Sequence, residues 1–176
     1  MSAPLLLEAT EQLITDAIKA NIASALVDVR AEHPSISTPQ NRQVNVIAPQ
    51  SYFNYVDATD YKLPAVFVIG KTFNSRQSEK CANHIAGKAS VNVSVVVEDR
   101  LSMACNTQAY RYASAIYGIL EQANLSTSDE RVKCFVRVER VENSDLFTNS
   151  EDKTRSETRF RKEIAFYLEV EHFEHY

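Results

Sequence analysis

The sequence predicts an α+β fold, a mixed or antiparallel sheet packed by two helices in the order α-β-β-β-α-β-β. Four observations lead there. Val91, Val93, Val95 and Val97 recur with period two inside Lys88–Glu98, so they share one face of a strand. Cys105, Ala109, Tyr112, Ile116, Ile119 and Leu120 then recur at helical spacing within Ser102–Gln122. Only Asp99-Arg100-Leu101 separates the two, too short a link to carry the helix away from the sheet. Finally, all five Pro lie at or before Pro64, which leaves the rest of the chain free to form long strands and a long helix.

The elements follow in chain order. Pro4–Ala31 is an amphipathic helix whose buried stripe is Leu6, Leu13, Ile14, Ala17, Ile18, Ala25 and Val29, widened by Ile22 and Leu26. Pro34 stops it near His33. Residues Ser35–Arg42 read as loop, Gln43–Ala48 as a short strand, and Gln50–Lys62 as an ordered aromatic loop. Leu63–Gly70 is a strand apolar on both faces, which places it centrally, with Pro64 at its start. Lys71 to Lys88 reads as a long, net basic loop. Beyond the central strand and helix, Asn124–Arg131 is a polar turn. Val132–Val141 is a strand with Val132, Cys134, Val136 and Val138 on one face. Asn143–Glu157 reads as a charged loop, and Thr158–Phe173 as the last strand, which forms a long hairpin with Val132–Val141.

The totals bound the class. With 176 residues the chain suits a single α+β domain, 1–176, with long loops at 71–88 and 143–157. A formal net charge of -4 argues against a surface that binds nucleic acid throughout. Cys81, Cys105 and Cys134 are odd in number and show no disulfide framework or CxxC zinc signature, which suggests a reducing compartment. Leu5-Leu6-Leu7 is too short for a signal core, and no apolar run reaches the ~20 residues of a membrane span.

Chemistry-bearing motifs are sparse. Glu171-His172-Phe173-Glu174-His175 splits its potential ligands between two strand faces and reads as a solvated tail. Glu98-Asp99 reads as a polar strand exit that places negative charge at a helix N-terminus. No GxSxG elbow and no Gly-rich phosphate loop is present, because Gly70, Gly87 and Gly118 are isolated. Gly118 suggests close packing. Arg137, Arg140, Lys153, Arg155, Arg159, Arg161 and Lys162 gather on the last hairpin, interleaved with acids, which reads as a solvated face or a protected edge. The expectation is a non-enzymatic chain with no metal and no cofactor.

The element order also carries a resemblance. The helix ending Ala25-Leu26-Val27-Asp28-Val29, the strand Leu63-Pro64-Ala65-Val66-Phe67-Val68, the strand Val91–Glu98 and the helix run Ala109-Tyr110-Arg111-Tyr112-Ala113-Ser114-Ala115-Ile116-Tyr117, followed by two long strands, are similar to the tail terminator (tail-completion) proteins of long-tailed bacteriophages. The resemblance implies a structural virion subunit, assembled in the host cytoplasm. It would form a homo-oligomeric, hexameric ring that caps the tail tube and joins it to the neck. Tail tube and neck proteins are then its partners, DNA passes through the lumen, and no membrane is involved. The alternatives are another neck or tail-tube structural protein, then a small nuclease or other enzyme. The residues expected at subunit or partner contacts are Lys71, Arg76, Lys80, Lys88, Lys153, Arg155 and Arg159. The segment 71–88 faces either DNA or a neighbouring subunit.

Overall fold

The computed structural model describes residues 3–32, 46–54, 62–76, 84–121, 123–128, 130–148 and 159–175. Eight elements follow one another: α1 (Ala3–Glu32), β1 (Ser51–Phe53), β2 (Ala65–Arg76), β3 (His84–Asp99), α2 (Ser102–Leu120), β4 (Asn124–Ser126), β5 (Val132–Thr148) and β6 (Arg159–His175). The six strands form one sheet in the order β1-β2-β3-β6-β5-β4. Only β1 and β2 run parallel; every other pair is antiparallel. The sheet is therefore mixed, as expected, and two helices pack on one of its faces.

That face is dictated by alternation. Val91, Val93, Val95 and Val97 on β3 lie beside Ile164, Phe166, Leu168 and Val170 on β6, and all are buried. Burying each such side chain contributes roughly 1.5–3 kcal/mol, so this ladder anchors the fold. From α1, Ile14, Ile18, Ile22, Leu26 and Val29 enter the same core. They recur at four, four, four and three residues, the spacing that keeps side chains over one another on a helix. Leu13, Ala17 and Ala25, expected at the centre of the stripe, are half-buried flanks. From α2, Cys105, Ala109, Tyr112, Ile116 and Leu120 are buried as expected.

Asp99 fixes where α2 begins. Its Oδ1 accepts the Leu101 N–H at 2.9 Å, and its Oδ2 accepts from Gln108 Nε2 at 2.9 Å. A carboxylate there complements the helix dipole. At the other end, Glu121 turns extended while its N–H still bonds the Tyr117 carbonyl at 2.8 Å.

Several expectations are corrected. Lys71–Lys88 is not a loop where described: β2 runs on to Arg76 and β3 begins at His84, with Asn74 opposite Lys88. Asn143–Thr148 likewise belongs to β5, opposite Ile164 to Arg159. Both extensions are polar, which masked them. Residues 77–83 and 149–158 lie outside the described residues. The short strand expected at Gln43–Ala48 is displaced: Val46–Ala48 is not a strand, and β1 forms instead at Ser51–Phe53, inside the stretch read as aromatic loop. β4 forms inside the expected polar turn. β2 is covered on both faces near its start but lies second from the edge, not centrally. On its other face Ala65 and Phe67 pack with Val96 against Phe53, Leu63 and Ile69.

Two glycine roles are also exchanged. Gly118 is exposed, with open space where a Cβ would stand, so it does not serve close packing. Gly70 and Gly87 do: a Cβ would meet Leu7 Cγ at 2.5 Å in the first and Phe73 Cζ at 2.5 Å in the second.

Candidate functional site

Of the seven basic residues expected to mark a contact surface, four are described: the β2–β3 register sets Arg76 diagonal to Lys88, while Lys71 lies five residues earlier on β2 and Arg159 begins β6. Lys71 is exposed and is the extra residue of a bulge in β2 between Gly70 and Thr72. Lys88 lies on the helix-free face and pairs with Glu169 at 2.7 Å and Glu171 at 3.5 Å. Arg159 stands at the far end of β6, where its Nη1 meets Glu98 Oε1 at 2.7 Å. Arg76 closes β2. Lys80, Lys153 and Arg155 lie outside the described residues. Ion pairs to neighbouring strands thus hold two of the candidate cations, and Glu98-Asp99 is occupied by Arg159, Leu101 and Gln108.

The C-terminal motif is not a solvated tail. His172 and Glu174 face the helices and are buried, because β6 continues to His175 beside β3 and β5. His172 Nδ1 lies 3.1 Å from Thr10 Oγ1 of α1 and 3.4 Å from Cys134 Sγ of β5. The Phe73 ring stands edge-on to the imidazole, centroids 5.9 Å apart. Burial lowers the His172 pKa, with Glu174 opposing it. Burial pushes the Cys134 thiol up to about 11, with the Thr10 hydroxyl opposing. A protonated thiol beside a neutral imidazole, both sealed from solvent, is a packing cluster rather than a nucleophile and base. Among the described residues no group of three His, Cys, Asp or Glu is placed to hold a metal ion.

A second buried polar group sits at the start of α2. The Lys162 side chain is only 5% exposed; its Nζ reaches Asn106 Oδ1 at 2.9 Å and Asp145 Oδ1 at 3.2 Å, and lies 5.0 Å from the Tyr110 ring centroid. Cys105 and Phe160 help to line a cavity of about 90 Å³ there. Burial pushes the Cys105 thiol up to about 11 as well. The cavity is small, and Lys162 in its lining is already partnered, so it offers little room for a ligand.

Among the described residues, one open strand edge lies along β5. β4 pairs only with Lys133–Phe135, and the last backbone bond on that side runs from the Val136 N–H to the Ala123 carbonyl at 2.9 Å. Among the described residues no strand pairs with Arg137–Thr148 on that side. β5 bulges at Glu139, between Val138 and Arg140. Glu139 to Asp145 are seven consecutive exposed residues, whereas β6 alternates buried and half-buried along the same stretch. Exposed apolar side chains include Val141 on β5, and Met103, Tyr110 and Tyr117 at sevenfold spacing on α2. Asn143 Nδ2 donates to the Tyr110 hydroxyl at 3.4 Å, which ties the helix flank to the strand. A groove of about 310 Å³ follows, lined by Glu121, Ala123, Val136 and Val138 among others. Sequence reasoning missed this surface. Its traces were present: a three-residue step between Val138 and Val141 where alternation requires two, and aromatic residues seven apart opposite the buried stripe.

No described helix is long and apolar enough to cross a membrane. No family model matches the sequence, and no curated protein matches it. Among the solved structures that are similar to the chain at low identity are these two. A chain in the virion of a native gene transfer agent particle is 15% identical, with a TM-score of 0.39, covering 69% of this chain and 79% of its own. A second solved chain, whose description states no function, is 14% identical, with a TM-score of 0.40, covering 88% and 94% respectively.

Proposed function

We propose that the chain is a structural subunit of a phage-like virion, one that acts by assembling with copies of itself and with tail and neck proteins. Within that class, the order of helices and long strands resembles tail terminators, which favours a ring that caps the tail tube over another neck or tail-tube subunit. The observation that carries the reading is the open, apolar-flanked edge of β5. Polar groups converge in a pocket when a chain binds a small substrate, whereas a strand edge with exposed Tyr110 and Val141 suits another polypeptide. The buried His172–Cys134 pair supplies no accessible reactive group. In such a ring, Lys71 and Arg76 would face DNA in the lumen or acidic surface on a neighbour.

Native mass and negative-stain microscopy of the purified chain, at low and moderate salt, test this. Closed rings of uniform mass are expected. A chain that stays monomeric alone and also fails to add to isolated tail tubes would overturn the proposal.

A further inference from the structure

We propose that β5 pairs antiparallel with β5 of a second copy about a two-fold axis at Val141, so that two six-stranded sheets join into one. This contact rests on the reading of the β5 edge as an assembly surface and makes it isologous, so a ring would close through other surfaces of the paired chains. It follows from the hydrogen-bonding lane, the order of charges and the apolar flank.

The lane comes first. Along one strand, residues on the same face send their N–H groups to the same side. Val136 faces the helices and sends its N–H away from β6, to Ala123. Val138, Val141 and Asn143 share that face, lying opposite Leu168, Phe166 and Ile164. They therefore also point their amides into the empty lane. Val141 thus presents an N–H and a C=O outward, the geometry of a hydrogen-bonded antiparallel pair with its own copy. Among the described residues the lane is open from Arg137 to Thr148 and closes where β4 begins. On the outer side of β2, the Gly70 N–H already donates to the Glu11 carboxylate of α1.

Charge order then selects a second copy as the occupant. Pairing about Val141 sets Arg140 opposite Glu142 of the second copy, and Glu142 opposite Arg140 of that copy. Both side chains are well exposed, 60% and 45%, and already lie 3.1 Å apart within one chain, so the contact closes into a four-charge ring. Bulges and charges on edge strands commonly prevent pairing. An edge meant only to repel would carry one sign, whereas Arg140 and Glu142 are self-complementary about their midpoint. The flank completes the surface, because Val141 and Tyr110, 45% and 55% exposed, would lose water against their counterparts across the axis.

The experiment introduces Val141→Cys in a Cys81→Ser background, leaving Cys105 and Cys134 buried. Facing Cα atoms in a hydrogen-bonded pair lie ~5.5 Å apart, within the range a disulfide spans. Mild oxidation of the Val141→Cys chain should give a covalent dimer. In sedimentation, Arg140→Glu should weaken the dimer on the order of tenfold by facing like charges, and Arg140→Glu with Glu142→Arg should restore it. A wild-type chain that remains monomeric at its highest soluble concentration overturns the inference. So does a dimer that Val141→Cys fails to cross-link, or a charge swap that does not restore association. Rings that form while Val141→Cys gives no cross-link would overturn this contact and leave the ring standing; a cross-linked dimer that never forms rings would do the reverse.

Discussion

Gly87→Ala tests the packing of the helix-facing layer. Gly87 sits on β3 between Ser75 of β2 and His172 of β6. A Cβ there stands 2.5 Å from Phe73 Cζ and 2.8 Å from the Asn74 carbonyl oxygen. Neither neighbour retreats freely. The Phe73 ring is held edge-on against His172, at 89° between planes, and the Asn74 carbonyl belongs to β2 where it pairs with Lys88. Overpacking of this kind costs about 1–3 kcal/mol. Reduced freedom of the unfolded chain returns about 0.4–1 kcal/mol. The net loss is then ~1–2 kcal/mol, a fall of about 2–8 °C in melting temperature at this chain length. Gly118→Ala should move the other way. Its Cβ meets nothing within 4 Å, so helix propensity alone contributes about 1 kcal/mol, a rise of about 2–4 °C. Thermal melts followed by circular dichroism read both. A Phe73→Leu, Gly87→Ala cycle should show positive coupling, since the smaller side chain vacates the contact. Equal signs for Gly87→Ala and Gly118→Ala would refute the reasoning.

Two further outcomes follow from buried groups. Ile116→Asp places an unpaired carboxylate at a site with 0% exposure and should cost more than about 4 kcal/mol, leaving an unfolded or insoluble chain, whereas Ile116→Val should cost only about 0.5–1.5 kcal/mol; a soluble Ile116→Asp protein melting like wild type would show the core is elsewhere. Burial lowers the His172 pKa below its ordinary 6.5, so the folded chain holds fewer protons there than the unfolded chain. This group's contribution is intact above pH 6.5 and is lost as pH falls from that value through the lower folded pKa. Melting curves between about pH 7.5 and about pH 5 should therefore fall more steeply for wild type than for His172→Asn, and parallel curves would refute the buried-imidazole account.

Periodicity located what is buried rather than what is strand. The valines of β3 and the stripe of α2 were legible because each buries one face, and their order with α1 fixed the α+β class. The ends of the long strands were not. β2 beyond Gly70 reads Lys-Thr-Phe-Asn-Ser-Arg, and β5 beyond Val141 reads Glu-Asn-Ser-Asp-Leu-Phe. Such stretches are strands because β3 and β6 pair with them, and that pairing joins residues far apart in sequence. β1 and β4 are three residues each, too short for any alternation to register.

The same limit hides the partners of the described basic residues. Charge is visible in a sequence, but its partner is not: Lys88 gains its partners only when β6 places Glu169 and Glu171 beside it, and Arg159 when β3 supplies Glu98. Conversely, Lys162 resembles one more solvated cation in the sequence, yet it faces the helices because it shares the phase of Ile164, Phe166 and Leu168. That phase makes it a buried lysine in need of partners, and Asn106, Asp145 and the Tyr110 ring provide them. The open edge of β5 is one that alternation marks by failing. Between Val138 and Val141 the apolar period slips by one residue, the strand bulges at Glu139, and from there to Asp145 both faces of β5 meet solvent. A strand that buries neither face gains little from its own sheet beyond backbone bonds on one side. Its remaining amides and its exposed valine are best satisfied by another chain.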